Sequence, residues 1–464
     1  MKRTAWVLIA AIVGSGMSFI DGSAVNVALP VLQTDVHASA ADVQWTVEGY
    51  ALVLASLILV GGALGDAFGR RRIYAVGIAL FALASLACSL APEIHLLIAA
   101  RCVQGLGGAL ATPGSLAIIA SAFSGQARGR AIGTWSGAAS ITAALGPVIG
   151  GALVQYASWR AVFLINVPLA LVVLFALTRV PESRDRAAAR RIDLPGALLA
   201  TGGLGTLVYG LIRLQATIAD APGIVCAGIG VVLLALFVLF EGRAPAPMMP
   251  LSLFASRAFS AANAYTFLLY AALGGSLYFV PFVLIGAQGY SPTAAGAAQL
   301  PFVVLVGACS RWSGSLAARF GARRPLVAGA VLAAAGFALF ARPGLGESYW
   351  TSYFPASCAL GAGGVFFIAP LTTLVMDAAG AEHSGIASGI NNAVSRAASL
   401  IAVAALGVVP ARVAGPANLD PGAQHAAYLA GFRAVMLLSA GLALAAGALA
   451  FATVPGVRHS RGRS

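Results

Sequence analysis

The stretch GALGDAFGRRR at residues 62–72 decides the fold, because the chain carries a second, degraded copy, GSLAARFGARR, at residues 314–324. Six of the eleven positions are identical. Each copy closes one long apolar run and opens the next. Two copies of one basic turn, 252 residues apart, imply a chain built from two related halves.

Outward from this turn the sequence is a series of apolar runs. A helix that crosses a bilayer needs about 20 mostly apolar residues. Such runs fall near 5–27, 43–64, 72–91, 96–122, 131–154 and 160–180, then near 194–214 and 222–241. Six more fall near 259–284, 293–318, 325–342, 350–376, 385–409 and 427–454. One six-helix half is about 190 residues long, so the repeat offset leaves a surplus of roughly 60, which the seventh and eighth runs fill. The expected fold is all-α and polytopic, with six, two and six spans. Residues 1–182 form the first bundle, 183–258 a loop with a two-helix insert, and 259–464 the second bundle. Parallel halves around a central site are a known transporter design.

Composition agrees. Hydrophobic residues make up 59% of the 464 and charged residues 9%, where a soluble domain has about 25% charged. Mean hydropathy is +0.90. Lipid is therefore the main solvent. The net charge of +13 does not point to nucleic acid, because the basic residues sit in short clusters between apolar runs. With a cytoplasmic N-terminus, about 20 of the 28 Lys and Arg residues fall on the cytoplasmic side. Arg70, Arg71, Arg72, Arg128, Arg130, Arg323, Arg324 and the basic tail are among them. Arg160, Arg213, Arg342 and Arg412 fall opposite. Fourteen spans put both termini in the cytoplasm and the chain in the inner (cytoplasmic) membrane. Lys2 and Arg3 followed by an apolar run resemble a signal peptide, but the run continues past Asp21 to Pro30 without a cleavage site and reads as the first span.

No phosphate-binding GxxxxGK[ST] loop, zinc spacing or nucleophile–base arrangement is recognisable, so neither an enzyme nor an ATP-driven pump is expected. No cofactor or metal is expected. The five cysteines lie inside apolar runs and read as packing residues. The expected partners are a small-molecule substrate, protons and the bilayer, with the chain a monomer.

The charges inside the spans carry the chemistry. Asp21 lies about 16 residues into the first span, where burial makes a carboxylate costly, so it can load and release a proton. Arg101 lies inside the fourth span and needs either a partner in a cavity or a route to the near interface. Glu48 shares a proton site with Asp21, attracts a cation, or sits beside water at the outer interface. Arg396 is mid-span in the thirteenth run and faces a cavity or an acid.

In these motifs the chain resembles the major facilitator superfamily, and more closely its fourteen-span drug:proton antiporter family. The resemblance covers nearly the whole chain. In the first loop Gly62, Asp66, Gly69, Arg70 and Arg71 follow the family pattern, with Arg130 as the basic partner from the next loop. The resemblance implies a conformational latch there, although Ala67 stands where the family has Arg or Lys. In RCVQGLGG, Arg101 and Gln104 match, which implies proton coupling. In FIDGSAVN, Asp21 and Asn26 match a proton or cation site, and Glu48 matches an acid found in a subgroup. In GTWSGAASITAALGPVIGG, Gly133, Gly146, Pro147, Gly150 and Gly151 match the antiporter signature, with Thr142 as a departure. Asn391, Asn392 and Arg396 resemble the family's eleventh core helix. Together they imply a proton-coupled exporter of hydrophobic drugs, cations included. The alternative is a dedicated exporter or importer of one metabolite, peptide or lipid.

Overall fold

In lipid a spanning segment must satisfy its own backbone hydrogen bonds, which restricts apolar runs to helices. The computed structural model describes residues 3–123, 125–183, 193–216, 220–245, 247–344, 346–380, 384–413 and 421–455, and among them it contains helices and no strand. The first half holds α1 (Arg3–Asp35), α2 (Ala40–Phe68), α3 (Arg70–Leu90), α4 (Ile94–Ala122), α5 (Gly125–Tyr156), α6 (Trp159–Leu164) and α7 (Asn166–Leu177). The insert is α8 (Leu194–Ala216) and α9 (Ala221–Glu241). The second half holds α10 (Arg257–Phe282), α11 (Pro292–Ala297), α12 (Leu300–Phe320), α13 (Arg323–Phe340), α14 (Tyr349–Ala379), α15 (Ser384–Leu406), α16 (Val408–Val413) and α17 (Pro421–Thr453). Fourteen stretches are long and apolar enough to span a membrane, α6 and α7 together forming one of them.

The chain divides into two compact units. One is Met1–Met248 with Tyr278–Gln299, the other Met249–Leu277 with Leu300–Ser464. In the first unit α4 packs on α2 and α3, α1 packs on α5 and α7, and α9 packs on α8, which reaches the bundle through α2. In the second, α14 packs on α12 and α13, and α13 packs on α17. The insert hairpin is held at its turn by Asp220, which accepts from the Gly223 N–H (2.8 Å) and pairs with Arg213 (2.6 Å). That hydrogen-bonded pairing holds the Asp220 carboxyl below its ordinary range.

The repeat is visible in the backbone. Gly69 precedes α3 with φ +115° and Gly321 precedes α13 with φ +70°, and they occupy the same place in the two copies. Only glycine enters this region without strain, so both basic turns need it. The neighbouring seams match too. Tyr74 of α3 donates to the Ala10 carbonyl of α1 (2.9 Å). In the second unit Tyr265 of α10 donates to the Leu326 carbonyl of α13 (2.8 Å), and 326 is the repeat partner of 74. The same pair of helices is tied in each half, from opposite sides.

Candidate functional site

Asp21, Arg101 and Gln104 meet in one buried cluster. Arg101 is 1% exposed and Asp21 is fully buried. The Arg101 Nη1 donates to Asp21 Oδ2 at 2.7 Å and to Gln104 Oε1 at 2.6 Å, and Nε donates to the Thr46 carbonyl at 2.9 Å. Gln104 Nε2 donates to Asp21 Oδ1 at 2.8 Å and to Ser85 Oγ at 2.8 Å. Asn166 Nδ2 adds a third donor to the same carboxyl, 3.1 Å from Oδ1. The Tyr50 ring lies 4.3 Å from the guanidinium carbon, a cation–π contact that tolerates a charge without solvent. Five helices supply these groups: α1, α2, α3, α4 and α7. Arg101 therefore has a buried partner and does not reach for the interface.

This geometry suits a carboxylate, because every group that touches Asp21 donates. Two opposite charges out of water are tolerable only when their remaining hydrogen-bonding positions are also filled. Here both Asp21 oxygens accept hydrogen bonds, so the cost of burial is offset by a counter-charge and two amides. A proton arriving at Asp21 cancels the charge that Arg101 answers and so weakens that pairing.

The sequence reading misses Asn166, Ser85, Thr46 and Tyr50. Asn166 is an amide inside the apolar run FLINVPLALVV, a signal available to any search for polar groups in spans. Thr46 is invisible to such a search because it acts through its carbonyl. Asn26 does not join the cluster, since its Nδ2 donates to Gly22 on its own helix (3.4 Å). Glu48 lies apart as well. It is 1% exposed, and neither carboxyl oxygen has a hydrogen-bond partner.

At the basic turn, Arg70 Nε pairs with Asp66 Oδ1 at 2.7 Å. Arg130 is exposed and makes no ion pair among the described residues, so Asp66 is matched within its own turn. Gly62 faces Pro113 of α4, with 3.6 Å between a Cβ placed there and the proline Cβ. The unexpected partner is Glu182, just beyond α7. Its carboxylate accepts the backbone N–H of Arg71 (3.0 Å) and of Arg72 (3.2 Å), and it packs against Gly69. An anion over the first N–H groups of α3 satisfies donors the helix cannot use itself.

The antiporter signature on α5 is a packing surface. Gly146 abuts Ser23 of α1, and a Cβ at Gly150 would stand 2.6 Å from Ala24 Cα. Gly151 abuts the Pro292 carbonyl of α11, and Gly296 of α11 abuts the Pro147 carbonyl in return. Small residues bring the three backbones close without any chemistry of their own. Gly133 lies in α5, but its surroundings fall outside the described side chains. In the second unit, Asn391 donates to Thr266 (2.7 Å) and Asn263 (3.2 Å) of α10, while Asn392 bonds its own helix. Arg396 lies on α15 one turn before Ser399, which donates to the Tyr270 carbonyl of α10 (3.1 Å).

A sequence profile described as Major Facilitator Superfamily matches residues 11–403. The chain is 38% identical to the multidrug resistance protein Stp of Mycobacterium tuberculosis (strain CDC 1551 / Oshkosh), over 88% of this chain and 76% of that protein. It is 36% identical to the tetracenomycin C resistance and export protein of Streptomyces glaucescens, over 90% and 78%. It is 37% identical to the methylenomycin A resistance protein of Bacillus subtilis (strain 168), over 87% of each. Among solved structures, a bacterial homologue of the human lysosomal transporter Spinster superposes with a TM-score of 0.70 at 17% identity, over 98% of this chain and 97% of that one. That likeness shows the fold.

Proposed function

The chain belongs to the Major Facilitator Superfamily, a family of transporters and not of enzymes, and on that premise we propose that it exports hydrophobic drugs across the cytoplasmic membrane in exchange for protons. The observation that carries this reading is the Asp21 cluster. A carboxylate buried in a span and held by an arginine and two amides is a group whose protonation removes the charge that its neighbours are arranged around. Protonation of Asp21 frees Arg101 from its counter-ion. Arg101 then shifts toward Tyr50 and Thr46, and helices α1, α2, α4 and α7 feel the change. The Asp66–Arg70 turn, capped by Glu182, is the latch that this shift acts on. Both termini are cytoplasmic in this reading, and the transporter works as a monomer.

Hydrophobic compounds are the favoured substrates, cations among them, as the names of the relatives and the resemblance to drug exporters suggest. The names of the Streptomyces and Bacillus relatives each point to one antibiotic, which favours as second reading a dedicated exporter of a single natural product. Efflux of a panel of fluorescent and antibiotic compounds from everted vesicles, with and without an imposed proton gradient, separates the two. Gradient-dependent movement of several unrelated compounds supports the first reading. Movement of one compound alone supports the second, and indifference to the gradient sinks proton exchange in both.

A further inference from the structure

Glu48 is a buried carboxyl that the Asp21 cluster does not use. One turn before it on α2, Gln44 is 3% exposed. Its Oε1 accepts from Gln215 Nε2 of α8 (2.8 Å), and its amide is the polar neighbour of the Glu48 carboxyl. One turn after it, Leu52 meets α8 at Gly205, with 3.3 Å between its Cδ2 and a Cβ placed there. Trp45 packs on Tyr209 of α8, ring centroids 6.3 Å apart. Residues 44, 45 and 52 thus mark the face of α2 that meets the insert, and 48 lies between them. Tyr50, which lies under Arg101, is two residues on and so about 160° round the helix. Glu48 points away from the Asp21 cluster.

Among the described residues, no charged side chain of the surrounding helices is placed against Glu48. On α8, Arg213 is taken by Asp220 and Tyr209 packs at a tilt against Trp45. On α4, Arg101 is taken by Asp21, and Cys102 lies beside Gly49. On α1, Asp35 is taken by Arg160 and Trp159. On α3 the buried Tyr74 is spent on Ala10, and Cys88 lies beside Gln104. Between Gly205 and Gln215, α8 contributes the buried apolar residues Val208 and Ile212. An unpaired carboxylate in such a place is costly, whereas a carboxylic acid is not.

We propose that Glu48 is a proton-binding site separate from the Asp21 cluster, and that helix α8 of the two-helix insert is the wall that keeps this site out of the lipid. The two acids are then in opposite states in this conformation. Asp21 is charged and held by Arg101, and Glu48 carries a proton. The insert has a job that a bundle of twelve helices would leave undone. Only the part Glu48 plays in a transport cycle rests on the proton-exchange reading; its occupancy by a proton does not.

Infrared difference spectroscopy on the purified full-length protein in lipid nanodiscs reads this directly. At neutral pH the protonated-carboxyl C=O stretch of the wild type should contain a band that Glu48→Gln removes and Asp21→Asn leaves. Gln215→Leu, on the insert, should move that band without abolishing it. Should Glu48→Gln fail to fold, Glu48→Asp should shift the same band. A wild-type spectrum without a protonated carboxyl, or one unchanged by substitution at 48, overturns the site. A band indifferent to Gln215→Leu overturns the role of the insert. Loss of proton-driven efflux is scored separately, so failure of the exchange reading leaves this result standing.

Discussion

Arg101 and Asp21 are the residues on which most depends. Removing one partner of a buried pair leaves an uncompensated charge, at a cost of about 3–5 kcal/mol. Asp21→Asn should therefore lower the melting temperature in detergent as well as abolish proton-driven efflux. The double change Asp21→Asn/Arg101→Gln should recover much of the stability and none of the efflux. If the single change exported at the wild-type rate under a gradient, the coupling role would be wrong. Glu182 acts by a gentler route. Glu182→Ala removes a cap from two N–H groups of α3 and should cost about 1 kcal/mol, as helix caps do, while slowing efflux at the latch. A melting curve and a transport rate on the same preparation measure both.

At the scale of elements, α5 makes the sharpest prediction. Gly150 faces Ala24 of α1 with no room for a side chain, whereas a Cβ at Gly137 on the same helix would meet nothing within 4 Å. Gly150→Leu should force α1 and α5 apart, lowering stability by about 1–3 kcal/mol or more, in the way overpacking does. Gly137→Ala should be close to neutral and can even help the helix. Equal effects of the two on melting temperature would show that helix propensity, and not the α1 contact, governs α5. The motif's identity as a close-packing surface was legible from its glycines and Pro147. That Gly151 meets α11, a helix about 140 residues further on, was not. A glycine says that something comes near and not what.

The whole molecule carries the test of orientation. Reporter fusions that fluoresce only in the cytoplasm should be bright after residue 455 and after residue 183, and dark at the turn before Asp220. A bright fusion at Asp220 would invert the topology drawn from the basic clusters.

The sequence by itself determined the number of spans, the repeat at 62–72 and 314–324, and the few charges that lie inside the lipid zone. Each of these is a local signal, because every segment in a bilayer must satisfy its own backbone and hide its own charges. Tertiary structure decided who meets whom. Asp21 and Arg101 stand 80 residues apart, and Arg71 and Glu182 stand 111 apart. No local pattern records which faces of two helices turn toward each other. The same limit explains Asn26, which shares the motif with Asp21 yet bonds its own helix, and Arg130, which stays exposed while Arg70 takes Asp66. Glu48 shows it most plainly. From the sequence it is one acid near another, and only the structure shows that it is buried yet takes no part in the Asp21 cluster.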